Sequence, residues 1–141
     1  MSTFTDKELE YLSGQRLARI ATADATGAPH VTPVGFRLAE NGAAIDVGGR
    51  GFGSSKKYRD LKVNPRVAIV IDDLVGVDPW TPRGMEVRGQ AELHDTGGAE
   101  RFGRGRDEAW VRIVPERVLS WGIEAPLFTE GSQTARSIPR A

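Results

Sequence analysis

The sequence predicts a mainly β protein, a small antiparallel barrel of about six strands, closed or partly closed, with short flanking helices. Apolar and polar residues alternate in several segments, the connections are short, and residues 66–71 form the unbroken apolar run of a buried strand. The 141 residues are enough for one core. We therefore expect a single domain over residues 1–141, with an N-terminal helix within 1–15 and a C-terminal tail at 126–141.

A short helix is predicted near the N-terminus. Thr5 and Glu8 have the spacing of a capping box, in which each side chain accepts a hydrogen bond from the other residue's free N–H group. Phe4 and Leu9 stand at the positions of a hydrophobic staple, and Gly14 is a natural end. These signals place the first helix before residue 14.

Six segments with strand character follow. Turn signals at 24–27 and at Asn41–Gly42 separate the first three of them. Pro33 marks the second segment as an edge strand or a bulge, and Pro115 interrupts the last segment. We expect a loop at 72–83. The predicted strands are 17–23, 29–38, 43–47, 66–71, 85–93 and 110–121.

The most informative local feature is a glycine-rich loop at 48–53 that leads into a predicted helix over 56–63, with Ser54 or Ser55 as its N-cap. Glycines let the backbone approach a ligand, and a helix N-terminus offers free N–H groups to an anion. The pair Lys56–Lys57 adds positive charge. The spacing matches neither a dinucleotide fingerprint nor a Walker A motif. On this segment alone, a phosphate site and an ordinary capped loop are equal alternatives.

Local charge favours the phosphate site. The chain has 19 basic and 19 acidic residues and no net charge. Between Arg50 and Arg66, however, six basic residues stand against one acid, Asp60, which gives a local charge of +5 (six minus one). Such a concentration suits a small polyanionic ligand. A solvated helix face is sufficient to explain Lys62 and Arg66.

Composition excludes several classes of protein. A zero net charge argues against a general nucleic-acid or membrane-surface binder. The absence of cysteine excludes disulfides, thiolate metal sites and a thiol nucleophile, and two histidines are too few for a His-rich metal site. Neither a signal peptide nor a membrane-spanning stretch is visible. We expect a cytoplasmic protein without metal, nucleic-acid or membrane partners.

Three of four further features allow two interpretations each. Asp72–Asp73 has the pattern of a paired-carboxylate site, but a turn or an arginine partner is the favoured role. Trp80, in a stiff proline-containing loop, either covers a planar ligand or packs against the protein. For His30 we favour a structural hydrogen-bonding role over a catalytic one. His94, at the end of a strand, is expected at the surface.

Taken together, these segments resemble the pyridoxamine 5′-phosphate oxidase-like split β-barrel of the FMN-binding type. Residues 22–34 look like its opening hairpin, and 115–121 is similar to its last strand. Ser55-Lys56-Lys57 stands where the family has a triplet that grips the flavin phosphate. Within the family, the sequence resembles the actinobacterial branch that uses the deazaflavin coenzyme F420. The segments that look like this branch are 56–61, 72–73, 78–84 and 87–89.

The resemblance implies a six-stranded antiparallel split barrel that forms a homodimer, with the cofactor in a groove at the dimer interface. Each part of the cofactor is assigned by position to residues of this chain. The ring side receives Thr32, Pro33, Val34 and Gly35; the middle receives Gly49, Arg50 and Gly51; the phosphate receives Ser55, Lys56 and Lys57. Trp121 is assigned to the ring or the interface, and Trp80 and Arg83 to the substrate mouth or the anionic tail.

The implied function is an oxidoreductase that transfers a hydride from reduced F420 to an electron-poor, planar small molecule. No proton donor can be named from the sequence. One alternative is an FMN-dependent oxidase or reductase on the same fold, and another is a non-catalytic cofactor carrier. Residues 31–36 lack the second-strand pattern of the flavin oxidases, and the chain lacks their pyridoxal-phosphate-binding arginine segment. Both departures count against an FMN-dependent pyridoxamine phosphate oxidase.

Overall fold

A computed structural model describes residues 3–139 of the chain. Within these residues it contains three α-helices, one short 3₁₀ helix and eight strands. The helices are α1 (Asp6–Ser13), α2 (Lys56–Val63) and α3 (Gly98–Phe102), with the 3₁₀ helix at Phe52–Ser54. The strands are β1 (Leu17–Ala23), β2 (Pro29–Gly35), β3 (Arg37–Leu38), β4 (Ile45–Val47), β5 (Arg66–Gly76), β6 (Thr81–His94), β7 (Trp110–Trp121) and β8 (Gln133–Ser137).

All strands belong to one antiparallel sheet in the order β2-β1-β5-β6-β7-β4-β3, and β8 also pairs with β7. The sheet curls around one hydrophobic core, as a split barrel does. Ile20, Ile69 and Ile113 are fully buried or nearly so on its inner face, and Leu12 of α1 and Leu61 of α2 join them. The long central strands thus carry the core, and the loops and short strands at their ends are left to form pockets.

The predicted count of six strands is wrong, because eight are present. The segment 29–38 divides at Phe36 into β2 and β3, which lie at opposite ends of the sheet. The other addition, β8, lies in the C-terminal tail at 126–141, for which no strand was predicted. Its side chains show no apolar stripe, but its main chain pairs with residues 117–121 of β7. Backbone pairing against an existing edge, rather than hydrophobic periodicity, makes it a strand.

The expected loop at 72–83 is also wrong over most of its length. Strands β5 and β6 continue as a paired hairpin, with Leu74 opposite Pro82 and Gly76 opposite Thr81. The neighbouring strands do not follow, since β1 pairs with β5 only at residues 68–70 and β7 pairs with β6 only from Gly84 onward. Residues 74–82 therefore project from the sheet, and we refer to them as the β5–β6 arm.

Local signals placed several elements correctly. Thr5 Oγ1 accepts a hydrogen bond from the Glu8 N–H (3.1 Å), and Glu8 Oε1 accepts one from the Thr5 N–H (2.9 Å), so the capping box of α1 is confirmed. Pro33 lies on β2, an end strand of the sheet, as predicted. Pro115 pairs with Gly89 beside a β-bulge, because the register of β6 and β7 shifts between Arg88 and Gly89. Both prolines occupy positions that need no ladder hydrogen bond from them.

Candidate functional site

The glycine-rich loop is fastened to the connection between α3 and β7. The Asp107 N–H donates to the Gly49 carbonyl (2.9 Å), and the Asp107 carboxylate accepts from the Gly53 N–H (2.9 Å). Gly51 has a φ of 59°, in the left-handed region that favours glycine. Gly48 lies against the ring of Phe102, which a Cβ at that position would approach to 2.6 Å. These contacts hold the loop in one shape ahead of α2.

Ser55 is the N-cap of α2, which is one of the two predicted residues, Ser54 and Ser55. Its Oγ accepts a hydrogen bond from the Tyr58 N–H (3.3 Å) and donates to the Phe52 carbonyl (2.6 Å). The first N–H groups of a helix have no acceptor within the helix. The N-terminus of α2 therefore presents free donors and the positive end of the helix dipole beside Lys56–Lys57.

The two lysines at this corner differ in their surroundings. Lys56 Nζ lies 3.0 Å from the carboxylate of Asp60, which is itself held by the Thr22 hydroxyl (2.9 Å). Lys57 is half-buried, and its Nζ lies 5.4 Å from the centre of the Phe52 ring. Burial lowers the pKa of Lys57, and the structure gives it no carboxylate partner within residues 3–139. Lys57 is thus a partly desolvated cation that an anion would stabilise.

The six basic residues of 50–66 do not form one patch. Arg59 donates to the Ser54 carbonyl (3.0 Å), and Lys62 lies over the Tyr58 ring, 5.0 Å from its centre. Arg66 lines a different pocket, of about 320 Å³, together with Arg88. The local charge of +5 is therefore distributed over several surfaces, which contradicts the expectation of a single focus.

A separate pocket gathers arginines that are distant in sequence. It has a volume of about 670 Å³ and lies between the turn after α1, the start of β3, the glycine-rich loop and the connection after α3. Two aromatic rings, Phe36 and Phe102, contribute to its wall. We call it the arginine pocket. Its lining residues are Gln15, Arg16, Gly35, Phe36, Arg37, Gly48, Gly49, Arg50, Phe102 and Arg106.

The structure brings three of the predicted cofactor residues into this pocket, and they are Gly35, Gly49 and Arg50. The pocket lining does not include the other cofactor candidates, which lie on β2, in the 3₁₀ turn, at the α2 corner and at the end of β7. These are Thr32, Pro33, Val34, Gly51, Ser55, Lys56, Lys57 and Trp121. Sequence reasoning missed Arg16, Arg37, Phe102 and Arg106, because no local pattern connects four residues spread over 91 positions (106 minus 16, plus one).

The ring-side candidates lie on an end strand of the sheet. Thr32 is half-buried and pairs with Ile20, and Pro33 is exposed opposite Arg19. The side chain of Val34 is buried in the core, so only its main chain can contact a ligand. Gly35 is exposed and has no side chain to block approach. The free edge of β2 thus offers a flat main-chain surface on which a ring could lie.

Arg83 has an internal partner. Its guanidinium binds Asp73 through two hydrogen bonds (2.9 and 3.1 Å), and the Tyr11 hydroxyl donates to the same carboxylate (2.7 Å). The hydrogen bond from Arg83 lowers the pKa of Asp73, while burial and Asp73 raise the pKa of Tyr11. Asp72 pairs with Arg19 (2.8 Å). The structural role favoured for Asp72–Asp73 is confirmed, and Arg83 is less available to an anionic tail than its sequence position suggested.

Arg83 also lines a cavity of about 360 Å³ between α1 and the ends of β6 and β7. The ring of Trp121 covers Gly84, where a Cβ would come within 2.7 Å of it, and the next residue, Gly122, lines the cavity. Trp80 stands on the β5–β6 arm with 59% of its surface exposed. The structure therefore separates the two candidates for the substrate mouth, Arg83 in a salt bridge and Trp80 in solvent.

Neither histidine behaves fully as expected. His30 Nδ1 is buried, and no residue between 3 and 139 forms a hydrogen bond with it, so the expected structural role is not seen. His94 stacks on Trp110, with ring centres 4.1 Å apart, and bonds to Glu92 (2.7 Å). Within residues 3–139, no group of three His, Asp or Glu side chains could hold a metal. The helices in this range are also too short or too polar to cross a membrane.

Comparisons with known proteins agree on one family. The pyridoxamine 5′-phosphate oxidase family model matches residues 4–122. A 5a,11a-dehydrotetracycline/5a,11a-dehydrooxytetracycline reductase from Streptomyces rimosus is 43% identical over 126 residues, which cover 89% of this chain and 88% of that protein.

Solved structures share the fold at lower sequence identity. A conserved hypothetical protein from Mycobacterium tuberculosis superposes with a TM-score of 0.66 at 22% identity, covering 91% of this chain and 92% of that one. A FAD-binding protein from Mesorhizobium loti gives a TM-score of 0.58 at 22% identity, covering 79% and 86%. At this identity the structural likeness supports the fold alone.

Proposed function

Because the chain belongs to the pyridoxamine 5′-phosphate oxidase family, we propose that it is a reductase that uses the reduced deazaflavin F420 to reduce an electron-poor double bond of a planar small molecule. The observation that carries the proposal is the 43% identity, over nearly the whole of both chains, to a reductase named for dehydrotetracyclines. A dehydro compound differs from its reduced product by two hydrogens, so the relative's name denotes the addition of a hydride and a proton. A substrate of this chemical class is the first to test.

The residues at the α2 corner fit a phosphorylated cofactor. Lys57 is half-buried without a carboxylate partner in residues 3–139, and the N-terminus of α2 directs free N–H groups to the same corner. A phosphate there would neutralise Lys57 and accept hydrogen bonds from the first turn of the helix. Lys56 is already paired with Asp60, and it adds a second positive charge at longer range.

The protein's part in the reaction is to orient the reactants and exclude water. When bound, reduced F420 supplies the hydride. The main chain of Thr32–Gly35 offers an edge on which the ring can rest, and the bare surface of Gly35 and Gly49 allows close approach. The indole of Trp121 provides an apolar surface at the end of β7. This arrangement would leave the other face of the ring to the substrate.

We also propose that the chain forms a homodimer through the outer face of its sheet. Leu17 and Val31 on β1 and β2 expose 56% and 65% of their surfaces there. Two arginines of this face are paired within the chain, Arg19 with Asp72 and Arg88 with Glu86 (both 2.8 Å). An exposed apolar surface with part of its charge already neutralised is suited to contact with a second copy of the same surface.

Equilibrium sedimentation tests the dimer. Val31→Asp should shift the protein towards monomer, because it would place a carboxylate in the centre of the interface. Val63→Asp is a matched control, since Val63 is equally exposed but lies on α2. A monomeric parent protein, or an equal effect of both substitutions, would contradict the proposal.

A cofactor titration tests the central proposal. The purified protein is titrated with F420 and with FMN, and binding is followed by fluorescence. Reduced F420 is then mixed with dehydrotetracycline, and the recovery of the absorbance of oxidised F420 is recorded. We expect binding of F420 in preference to FMN, and oxidation that depends on the substrate. Preference for FMN would contradict the F420 assignment, and binding without turnover on a wide panel of acceptors would indicate a carrier.

A further inference from the structure

The sequence contains four lysines, and three of them are held by a partner that favours the charged ammonium. Lys56 Nζ forms an ion pair with Asp60 (3.0 Å). Lys7 Nζ donates a hydrogen bond to a main-chain carbonyl (3.0 Å), and Lys62 Nζ lies over the Tyr58 ring, 5.0 Å from its centre. An ammonium has no free lone pair, so these contacts reduce the reactivity of the three amines towards electrophiles.

Lys57 is the exception among the four. Its Nζ forms no ion pair or hydrogen bond with any residue between 3 and 139, and the side chain is half-buried beside the buried ring of Phe52, 5.4 Å away. The ring attracts the ammonium, but the loss of water outweighs this attraction, because burial lowers the pKa of Lys57. The neutral amine is therefore more accessible at Lys57, and its lone pair is free to attack.

The charge around Lys57 attracts anionic reagents. Residues 56–60 contain three basic side chains and one acidic side chain, a local charge of +2 (three minus one). The acid, Asp60, is 4% exposed, whereas Lys56 and Arg59 are exposed to solvent. A positive surface raises the local concentration of an anion, and salt screens the effect. Among electrophiles that react with amines, an anionic one is therefore favoured here.

We propose that Lys57 is a covalent modification site, acylated on Nζ by acyl phosphates. This class of acyl donor is anionic and carries phosphate as its leaving group. The Nζ lone pair attacks the acyl carbon, and an amide C–N bond forms as the C–O bond to the phosphate breaks. The phosphate leaves with the electron pair of that bond and takes up the proton that the nitrogen releases. No group is oxidised or reduced in this step.

Acylation of Lys57 has a consequence for the cofactor site. It converts a cation into a neutral amide, so the charge available to a phosphate at the start of α2 decreases. The acylated protein should then bind a phosphorylated cofactor more weakly, and the supply of acyl phosphate would set the fraction of protein able to bind it. This consequence rests on the proposed function, whereas the modification itself does not.

Acetylation of the purified protein by acetyl phosphate tests the site without any cofactor. The initial rate at each of the four lysines is measured by peptide mass spectrometry. We expect Lys57 to be acetylated about tenfold or more faster than Lys62, the matched internal control on the same helix. Added sodium chloride should slow the reaction at Lys57, because it screens the local charge. Equal rates at Lys57 and Lys62, or faster acetylation of another lysine, would overturn the proposal.

A titration with F420 separates the modification from the proposed function. The untreated protein is compared with protein acetylated at Lys57, and Lys57→Gln is compared with Lys57→Arg, which keeps the charge. We expect acetylation and Lys57→Gln each to weaken binding about tenfold, and Lys57→Arg to weaken it less. Equal affinity of the acetylated and untreated proteins would overturn the regulatory consequence.

The two failures have different signatures. If the untreated protein does not bind F420 while Lys57 is still acetylated selectively, the proposed function fails and the modification site stands. If F420 binds in preference to FMN while Lys57 is acetylated no faster than Lys62, the inference fails and the proposed function stands.

Discussion

Two groups of arginines lie near each other at one end of the molecule, and they are built in opposite ways. Arg101 and Arg112 share Asp46 and Glu40, and both guanidinium groups also lie over the Trp110 ring, 4.7 and 5.4 Å from its centre. In the arginine pocket the same residue type faces a cavity without any acid in its lining. The first group contributes to the stability of the fold, and the second is kept available. An arginine of this protein is structural where the fold places a carboxylate beside its guanidinium, and it is available for binding where the fold does not. The exposed fraction of the side chain alone does not distinguish the two cases.

The largest expected effect follows from removing the acid of the paired group. Asp46 is fully buried, so Asp46→Ala would leave the guanidinium groups of Arg101 and Arg112 with only the exposed carboxylate of Glu40 between them. We expect a loss of about 3 kcal/mol in the free energy of unfolding, measured by urea denaturation. Glu92→Ala removes an exposed partner of His94 and should cost less than about 0.5 kcal/mol. Similar losses in the two variants would contradict the assigned structural role of Asp46.

A second effect distinguishes Lys57 from Lys62, two lysines of α2 with different surroundings. Lys57→Ala should weaken cofactor binding about tenfold, because an unpaired, half-buried cation is removed from the proposed phosphate site. Lys62→Ala removes a lysine that lies over the Tyr58 ring on the same helix, and the affinity should then change less than about twofold. Both are measured by fluorescence titration. Unchanged affinity in Lys57→Ala, alone and combined with Lys56→Ala, would refute the phosphate-site assignment.

A third effect is a dependence of stability on pH in the Arg83–Asp73 pair. The hydrogen bond from Arg83 holds the pKa of Asp73 below its ordinary value of 3.8, so the ionised carboxylate stabilises the fold above that pH. The stabilisation is lost as the pH falls through the lowered pKa. The difference in urea midpoint between the parent and Asp73→Asn should therefore be largest near pH 6 and decrease towards pH 3. A difference that stays constant over this range would show that the ion pair is not its source.

The smallest change in stability is expected in the arginine pocket, whose lining contains no acidic residue. Arg106→Gln should change the free energy of unfolding by less than about 0.5 kcal/mol, with a slight gain as the more consistent sign, since it relieves repulsion between like charges. The measurement is the same urea denaturation. A loss above about 1 kcal/mol would make Arg106 a structural residue and would remove the distinction between the two arginine groups.

The parts of the fold that the sequence predicted are those with local causes. The bounds of β1 and β7, the capping box of α1 and the Ser55 cap of α2 all follow from residues within a few positions of each other. The strand β8 and the extension of β5 into Leu74 and Val75 depend on pairing with another strand, which leaves no periodic signal in their own sequence.

The same reasoning explains the outcome for the candidate site. The α2 corner was predicted because Ser55 and the two lysines are adjacent, whereas the four pocket arginines are brought together only by the fold. Local charge counting was misleading in both directions. It included Arg66, which lines a different pocket, and it omitted Arg16, which lies in a segment of ordinary charge. Counting charges along the sequence shows only which residues a segment contains. Whether its basic side chains can bind an anion depends on where the fold places the acids that neutralise them.

The contact between Glu8 and Arg136 has a consequence for the order of folding. Glu8 is fully buried in the first helix, and its carboxylate accepts hydrogen bonds from the Arg136 guanidinium (2.9 and 2.5 Å). Arg136, which neutralises the carboxylate of Glu8, lies 128 residues later in the sequence. During synthesis, α1 therefore cannot dock with its carboxylate neutralised until β8 has left the ribosome. The helix α1 is synthesised before the strand that neutralises it, so it reaches its final environment only after β8 is available.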